Sequence, residues 1–485
     1  MFTHRMVATT VSAGLLALLS ACGQIDSQTK QAATAPVAPA AAASESPETL
    51  ALHRRAVEAV IWGMPAVNFD LMLQAAIANG AKPNQLVYWS QPVNWKNQTL
   101  TPNPDTIYLN PFYDTHEGPV VIEVPPVTNG QVIVGSIDEA WQNALVDVGP
   151  AGADRGKGGK YLITPPGYKD KPPAGYTTLQ GTTYQGFAIM RSNFKSRSEA
   201  DISAAVEHGK RIKVYPLSAG PSAAVAVDVY DKSFDATIKY DWRFFESLHR
   251  FVQAEPWATR DKVMIEMLKS LGIEKGKPFA PDDDMKAVFD AAAREAHEYI
   301  AMRFEKMFDG PFWEGTRWAV PVPQETLADM QNGFSTPDVY AFDGRAIMYH
   351  MAYFSAKQLG QGQFYIFAVS DDKGQRFDGR KTYKLTVPAN APVQQYWSAT
   401  MYDAETHALI RETSHSSRAS TAVDLKTNAD GSVTIYFGPK APDGQDGNWV
   451  PTHDRPWEVI FRLYGPDKSF FDKAWKLPDI EATSG

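Results

Sequence analysis

Asn103-Pro104-Asp105-Thr106-Ile107-Tyr108 is where the chain changes texture, and its reading decides the fold. Before it the sequence is helical. Ser46 stands as an N-cap with Pro47 at the first helical position, where the missing N–H of proline costs nothing. Apolar residues recur through Val57 and Ile61 to Gly63-Met64-Pro65, where the proline ring is expected to kink or break the helix before it resumes over residues 71–78. After the boundary, short β-like runs take over between glycines and prolines, at 120–124, 132–134, 160–164 and 187–190. The glycine cluster 156–160 leads into the strand-like Tyr161-Leu162-Ile163. A phosphate cradle needs a helix N-terminus there, so the cluster reads as a loop.

Residues 198–360 return to a helical period, with apolar residues three and four apart in 242–253, 260–271 and 284–307. Asp282 or Asp283 can cap the third of these. A further helix is expected over 337–359, carrying Arg345, Tyr349 and His350. From Phe364 onward β-texture returns at 383–387, 395–401, 433–437 and 458–463, with turn chemistry at Asp378-Gly379 and over 428–432. The fold class is α+β. The expected divisions are 1–21, a lipoprotein signal peptide; 22–46, a disordered tether; 47–197, a helix plus β-sandwich; 198–360, a helical middle region; and 361–485, a second β-sandwich.

The two β-regions share a pattern. In the first, a strand ends in Val124-Pro125, the next carries Ser136 and ends in Asp138, and a late strand carries Arg191. In the second, a strand ends in Val387-Pro388, the next carries Ser398 and ends in Asp403, and a late strand carries Arg462. An internal duplication gives this pattern; so do two independent sandwiches with ordinary strand alternation.

At the N-terminus, Arg5 precedes an apolar run over 7–19 that leads into Leu19-Ser20-Ala21-Cys22. A cationic start, a short apolar core and small residues at a cut site make a signal peptide. A cysteine where another small residue would stand is the pattern of a lipoprotein, cut before Cys22 and lipidated on it. Gly23 follows instead of Asp, which favours the outer membrane, and the Ala-, Pro- and Ser-rich segment to residue 46 reads as a tether. Cys22 is the 1 cysteine of 485 residues, so the body has no thiol for disulfides, zinc or nucleophilic attack. A net charge of -8 argues against nucleic acid as a partner. The expected partners are outer-membrane lipid through Cys22 and a small-molecule or glycan ligand. Aromatics at 12% suit stacking on sugars and equally suit large sandwich cores.

Longer strings carry a family resemblance. Residues 101–108, followed by Gly118-Pro119-Val120-Val121, resemble the hallmark of the bacterial family called domain of unknown function 1254. Residues 396–403 and 428–432, Asn448-Trp449-Val450-Pro451 and Arg462-Leu463-Tyr464-Gly465-Pro466 resemble its usual companion, domain of unknown function 1214. The resemblance implies an N-terminal immunoglobulin-like β-sandwich, a central helical domain and a C-terminal jelly-roll-like β-sandwich. It brings no catalytic residues with it.

The common hydrolase and phosphate-loop signatures are missing, and the 10 histidines are scattered. Neither a metal nor a cofactor is expected. The catalytic candidates are Asp105, Tyr108, Asp138, Tyr402 and Arg462; the ligand-binding candidates are Arg191, Trp397, Ser398, Trp449 and Tyr464. Asn103, Asp105 and Tyr108 either form a site or cap a proline-rich turn. Asp138 and Glu139, beside Trp141, are an acid–base pair if their environments split their pKa values, and otherwise solvated strand-end acids. Trp397, Ser398, Tyr402 and Asp403 combine with Arg462 and Tyr464 as the richest set, since a guanidinium offers a planar fork to a carboxylate or a sugar hydroxyl. Against that, Arg462 can simply pair with Asp403. Asn448, Trp449 and His453 lie on a proline-rich loop suited to recognition. Two functions follow as expectations: an envelope protein that binds a polar or glycan-like ligand, or an envelope hydrolase or lyase using Asp, Tyr and Arg as acid and base.

Overall fold

The computed structural model describes residues 46–320, 322, 324–358 and 362–483. The signal peptide, Cys22 and all of the tether but Ser46 lie outside the described residues. Pro47–Gly485 is one compact unit.

Its helices are α1 (Pro47–Ala78), α2 (Glu199–Gly209), α3 (Arg243–Ala254), α4 (Lys262–Ser270), α5 (Asp283–Glu305), α6 (Gln324–Gln331), α7 (Phe342–Tyr349) and α8 (Lys468–Phe471). α1 runs unbroken through Pro65, so the expected break does not occur. A proline inside a helix leaves the ladder a donor short, and side chains bond the carbonyls beside it. Arg345 Nη2 donates to the Trp62 carbonyl at 3.1 Å and Gln142 Nε2 to the Pro65 carbonyl at 2.9 Å. Gly63 lets α3 come close, since a Cβ there would lie 2.9 Å from the Leu248 side chain. Length and hydropathy alone would let α1 cross a membrane, but 83% of its apolar window is buried inside the protein. A helix apolar on every face is here a core helix, with α3, α4, α5 and α7 around it.

Asp282 caps α5 by accepting from the Met285 N–H at 2.8 Å. The helix expected over 337–359 is shorter, only Phe342–Tyr349. Asn68 on α1 explains the stop: its Nδ2 donates to the carbonyls of Tyr349 at 3.1 Å and Ala352 at 2.9 Å. Those acceptors are bonded across to α1, and residues 351–358 run on without helix.

The strands preceding the first sandwich are β1 (Gln85–Tyr88) and β2 (Asn97–Gln98). The sandwich itself is β3 (Ile107–Asp114), β4 (Val120–Val124), β5 (Val132–Glu139), β6 (Ala144–Val148), β7 (Gly159–Thr164), β8 (Thr177–Gln180), β9 (Gln185–Asn193) and β10 (Lys213–Pro216). β11 (Ala226–Asp228) and β12 (Phe234–Asp235) follow. The second sandwich is β13 (Gln363–Ala368), β14 (Tyr383–Val387), β15 (Val393–Asp403), β16 (Ser417–Ala419), β17 (Val433–Gly438), β18 (Trp449–Pro451), β19 (Trp457–Pro466) and β20 (Glu481–Ala482).

In the first sandwich β3-β9-β5-β6 packs on β10-β4-β7-β8, with β1 and β11 added at the β3 edge. In the second, β13-β19-β15-β16 packs on β20-β14-β17-β18. Each strand of one therefore has its counterpart ten strands later. Every pairing keeps its sense, including the parallel contacts of β7 with β8 and β17 with β18. The two sandwiches, expected as different types, follow one connectivity, and the pattern shared by the two β-regions is a repeat of topology.

Asn68→Ala is expected to lower stability by about 1–3 kcal/mol, because two buried carbonyls lose their donor. Denaturant unfolding measures this, and an unchanged midpoint would show those carbonyls to be satisfied elsewhere.

Candidate ligand-binding site

Strand alternation sends successive side chains to opposite faces. On β9, Ala188 and Met190 enter the core of the first sandwich, which leaves Ile189 and Arg191 on its outer face. On β19, Val459, Phe461 and Leu463 enter the second core, which leaves Ile460 and Arg462 outside. Both outer faces look into one chamber of about 60 Å³. Tyr108, Asn110, Ile189 and Arg191 line it from one side, and Tyr365, Phe367, Ile460 and Arg462 from the other. Met72 of α1, Met348 of α7 and residues 351–354 and 99–102 complete the wall.

The two arginines occupy matching places. Arg191 lies opposite Tyr108 on the neighbouring strand, with its guanidinium 5.2 Å from that ring. Arg462 lies opposite Tyr365, also 5.2 Å from the ring, and 5.5 Å from the ring of Tyr402. Only 4% of Arg191 and 2% of Arg462 is exposed. Arg462 Nη2 donates to the Thr101 carbonyl at 2.8 Å, whereas its Nη1 and the Nε and Nη1 of Arg191 have no partner. Two acids of the strap region and the second sandwich are committed to other arginines. Asp403 pairs with Arg455 at 3.1 Å, not with Arg462 as the alternative reading had it. Asp105 pairs with Arg197 at 2.8 Å.

Burial opposes the charge of each guanidinium, and neighbouring tyrosines raise both arginines only where these phenols ionise, so both arginines stay charged while the phenols are neutral. Burial likewise raises Tyr353, Tyr365 and Tyr402, so these phenols keep their protons. The hydroxyls of Tyr353 and Tyr365 and the Oδ1 atoms of Asn97 and Asn110 are buried without partners around the same space. Among the described residues, the lining holds two cations and no Asp, Glu, His, Lys, Cys or Ser.

The segment 101–105 straps the halves together. The Pro102 carbonyl accepts from the Tyr402 hydroxyl at 2.7 Å. Asn103 Nδ2 donates to the hydroxyls of Tyr396 at 3.0 Å and Tyr464 at 2.9 Å, and its backbone N–H donates to that of Tyr108 at 2.8 Å. Asp105 accepts from Ser417 Oγ at 2.5 Å, besides its ion pair.

Of the candidates read from the sequence, Tyr108, Arg191 and Arg462 line the chamber. Tyr402 and Tyr464 brace the strap behind it, and Ser398 lies opposite Arg462, its Oγ unpartnered. The others are not brought together with them. Trp397 stacks on Phe461 inside the second sandwich, 5.6 Å between centroids. Trp449 bonds the Gly438 carbonyl at 2.8 Å, Asn448 bonds the Lys426 and Thr434 carbonyls, and His453 is exposed. Glu139 is satisfied by Thr182 and Asn143. Tyr365, Tyr353, Asn97 and Asn110 escaped the sequence reading. Tyr365 is the counterpart of Tyr108 in the structure, each lying opposite an arginine, but the pattern shared by the two sequence regions does not reach either residue.

Asp138 is fully buried and does not line the chamber. Burial, opposed by the Ser136 bond, pushes its pKa up to about 8. Geometry agrees: the Ser136 hydroxyl lies 2.8 Å from both Asp138 Oδ2 and the Ser355 carbonyl, yet has one proton to give. A protonated Asp138 donates to Ser136, which donates onward to Ser355. The folded protein holds this proton until about pH 8, whereas the unfolded chain releases it near about 3.9. Stability therefore falls across that window as pH rises, by up to about 1.4 kcal/mol per unit. Asp138→Asn is expected to flatten this slope and to be the more stable form near neutrality. Calorimetric melting at a series of pH values tests it; parallel curves for the two proteins would show Asp138 ionised in the fold.

Comparison with known proteins bears on the architecture. The crystal structure of the VPA0106 protein from Vibrio parahaemolyticus is similar over 89% of this chain and 100% of that one, with 19% identity and a TM-score of 0.55. That likeness speaks for the fold alone. An uncharacterized protein from Burkholderia cenocepacia aligns over 90% of this chain and 95% of its own, at 10% identity and a TM-score of 0.41. No curated protein matches the chain. Residues 83–216 match the family described as protein of unknown function DUF1254, and residues 362–468 match protein of unknown function DUF1214. The chain thus carries these two families as a pair, DUF1254 in its N-terminal part and DUF1214 in its C-terminal part.

Proposed function

We propose that the protein binds a small organic anion in the chamber between the sandwiches and holds it without chemical change. The observation that carries this reading is the pair of buried guanidinium groups with no carboxylate in the chamber lining and none hydrogen-bonded to them; the buried Asp138, whose field Arg191 feels, lies outside that lining. An unpaired buried charge costs several kcal/mol, and a site that keeps two of them is built for a counter-charge that arrives with a ligand. Guanidinium forks bind carboxylate or phosphate through paired N–H donors, and the protonated Tyr353 and Tyr365 hydroxyls add neutral donors. A polar, glycan-like ligand suits the chamber when it carries an acidic group; a neutral sugar leaves the charges uncompensated.

The hydrolase or lyase reading finds no support here. Proton abstraction needs a positioned base, and the titratable or polar lining consists of arginines, threonines, asparagines and tyrosines, of which burial raises Tyr353 and Tyr365. Asp105 is tied to Arg197 and Ser417, and Asp138 is a buried neutral acid outside the lining. The location is also a proposal: residues 1–22 support a lipid-anchored protein of the cell envelope, held through Cys22.

Titration calorimetry against small carboxylates, phosphate esters and uronic acids tests the reading. Binding is expected in the native protein, and Arg191→Gln or Arg462→Gln should weaken it by about 30-fold or more. Without ligand, Arg191→Met is expected to be more stable than the native protein by about 1–4 kcal/mol, because an apolar chain replaces a buried charge whose Nε and Nη1 have no partner. Turnover of any of these compounds, or affinity indifferent to both arginines, would defeat the proposal.

A further inference from the structure

A second cavity, of about 580 Å³, adjoins the chamber. Arg191, Val322, Met348, Phe354 and Tyr365 line both spaces, so the two adjoin at the arginine. Beyond these shared residues the character changes. Leu327 and Met330 of α6, Phe364 of β13 and Phe471 of α8 make an apolar wall, and Phe471 is 42% exposed at its edge. The one carboxylate in this lining among the described residues, Asp147, accepts from the backbone N–H groups of Lys357 and Gln358, both at 2.8 Å, and is not free to meet a ligand.

We infer that the anion bound in the chamber is the head of a single-chain amphiphile, whose hydrocarbon chain lies in the apolar cavity beside it. The inference rests on the anion-binding reading above and names the class of ligand. A short anion alone would satisfy the arginines and leave a large apolar cavity filled with water. An aliphatic chain attached to that anion covers the wall with the surface it lacks. Arg191 lies where the two spaces meet, so the polarity of the site changes from charged to apolar across one residue. A carboxylate and a phosphate monoester both fit the guanidinium pair, and either can head such a chain.

The experiment is calorimetric titration of the purified protein with hexanoate, decanoate and tetradecanoate, and with alkyl phosphates of the same lengths. Affinity is expected to rise about two- to fourfold with each methylene. The corresponding alcohols should bind at least about tenfold more weakly than the acids, lacking the charge that the arginines meet. Ala356→Trp and Leu327→Trp place an indole in the apolar cavity alone. Each should abolish the gain with chain length while hexanoate binds as before, which also shows that the variant is folded. Tighter binding of carboxylates points to free fatty acids, and of phosphates to phosphorylated lipids; either supports the inference. Succinate or inorganic phosphate binding as tightly as tetradecanoate overturns it and leaves the anion-binding reading intact. Failure of every anion to bind overturns both.

Discussion

Two positive charges are held out of water with no negative charge of the protein beside them, and much of the surrounding architecture exists to make that possible. Aromatic rings lie against each guanidinium, a contact that gains strength where water is excluded. The strap 101–105 supplies what rings cannot. It gives a carbonyl to Arg462, takes the hydroxyl proton of Tyr402, and fixes Tyr396 and Tyr464 through Asn103. Thr101 adopts a positive φ of 41° to do this, anchored by its N–H on the His407 carbonyl at 2.7 Å. A threonine in that region is strained, and the strain sits where both halves of the molecule meet.

The helical layer serves the same end by less direct means. From Ala59 to Asn68 every residue of α1 is buried, and the polar Asn68 there has a defined task. Asn68 ends α7 and sends residues 351–354 along the chamber wall. Arg345, a third buried arginine, bonds a carbonyl near Pro65 and lies 4.6 Å from the Trp141 ring. Pro65 sits in a stretch of α1 whose neighbouring carbonyls, of Trp62 and Pro65, take further donors from packed side chains.

How far the sequence disclosed this depends on the kind of signal. Strands were legible because alternation and turn chemistry are local, and the ranges read around 120–124 or 433–437 needed little adjustment. Helix ends were less so: neither the continuity of α1 through Pro65 nor the stop of α7 at Tyr349 has a local cause, since Arg345, Gln142 and Asn68 act from distant positions. The site was half legible. Tyr108, Arg191 and Arg462 stood out as polar residues in strands, but a chamber formed between two sandwiches has no sequence period. Asp403 seemed a natural partner for Arg462 only while Arg455 was out of view. Asp105 and Asp138 looked catalytic because burial and existing bonds cannot be read from composition.

The repeated connectivity has a consequence for how this molecule responds to change. Many proteins place a ligand between two identical subunits, where symmetry makes each substitution act twice. Here two like sandwiches are joined in one chain, and their arginines meet across a seam whose sides are encoded separately. Arg191 opens toward the apolar cavity, while Arg462 faces the strap and gives one of its donors to Thr101. The two arginines thus differ in surroundings although their strands correspond. Such a difference is open to a fused pair and closed to a symmetric dimer.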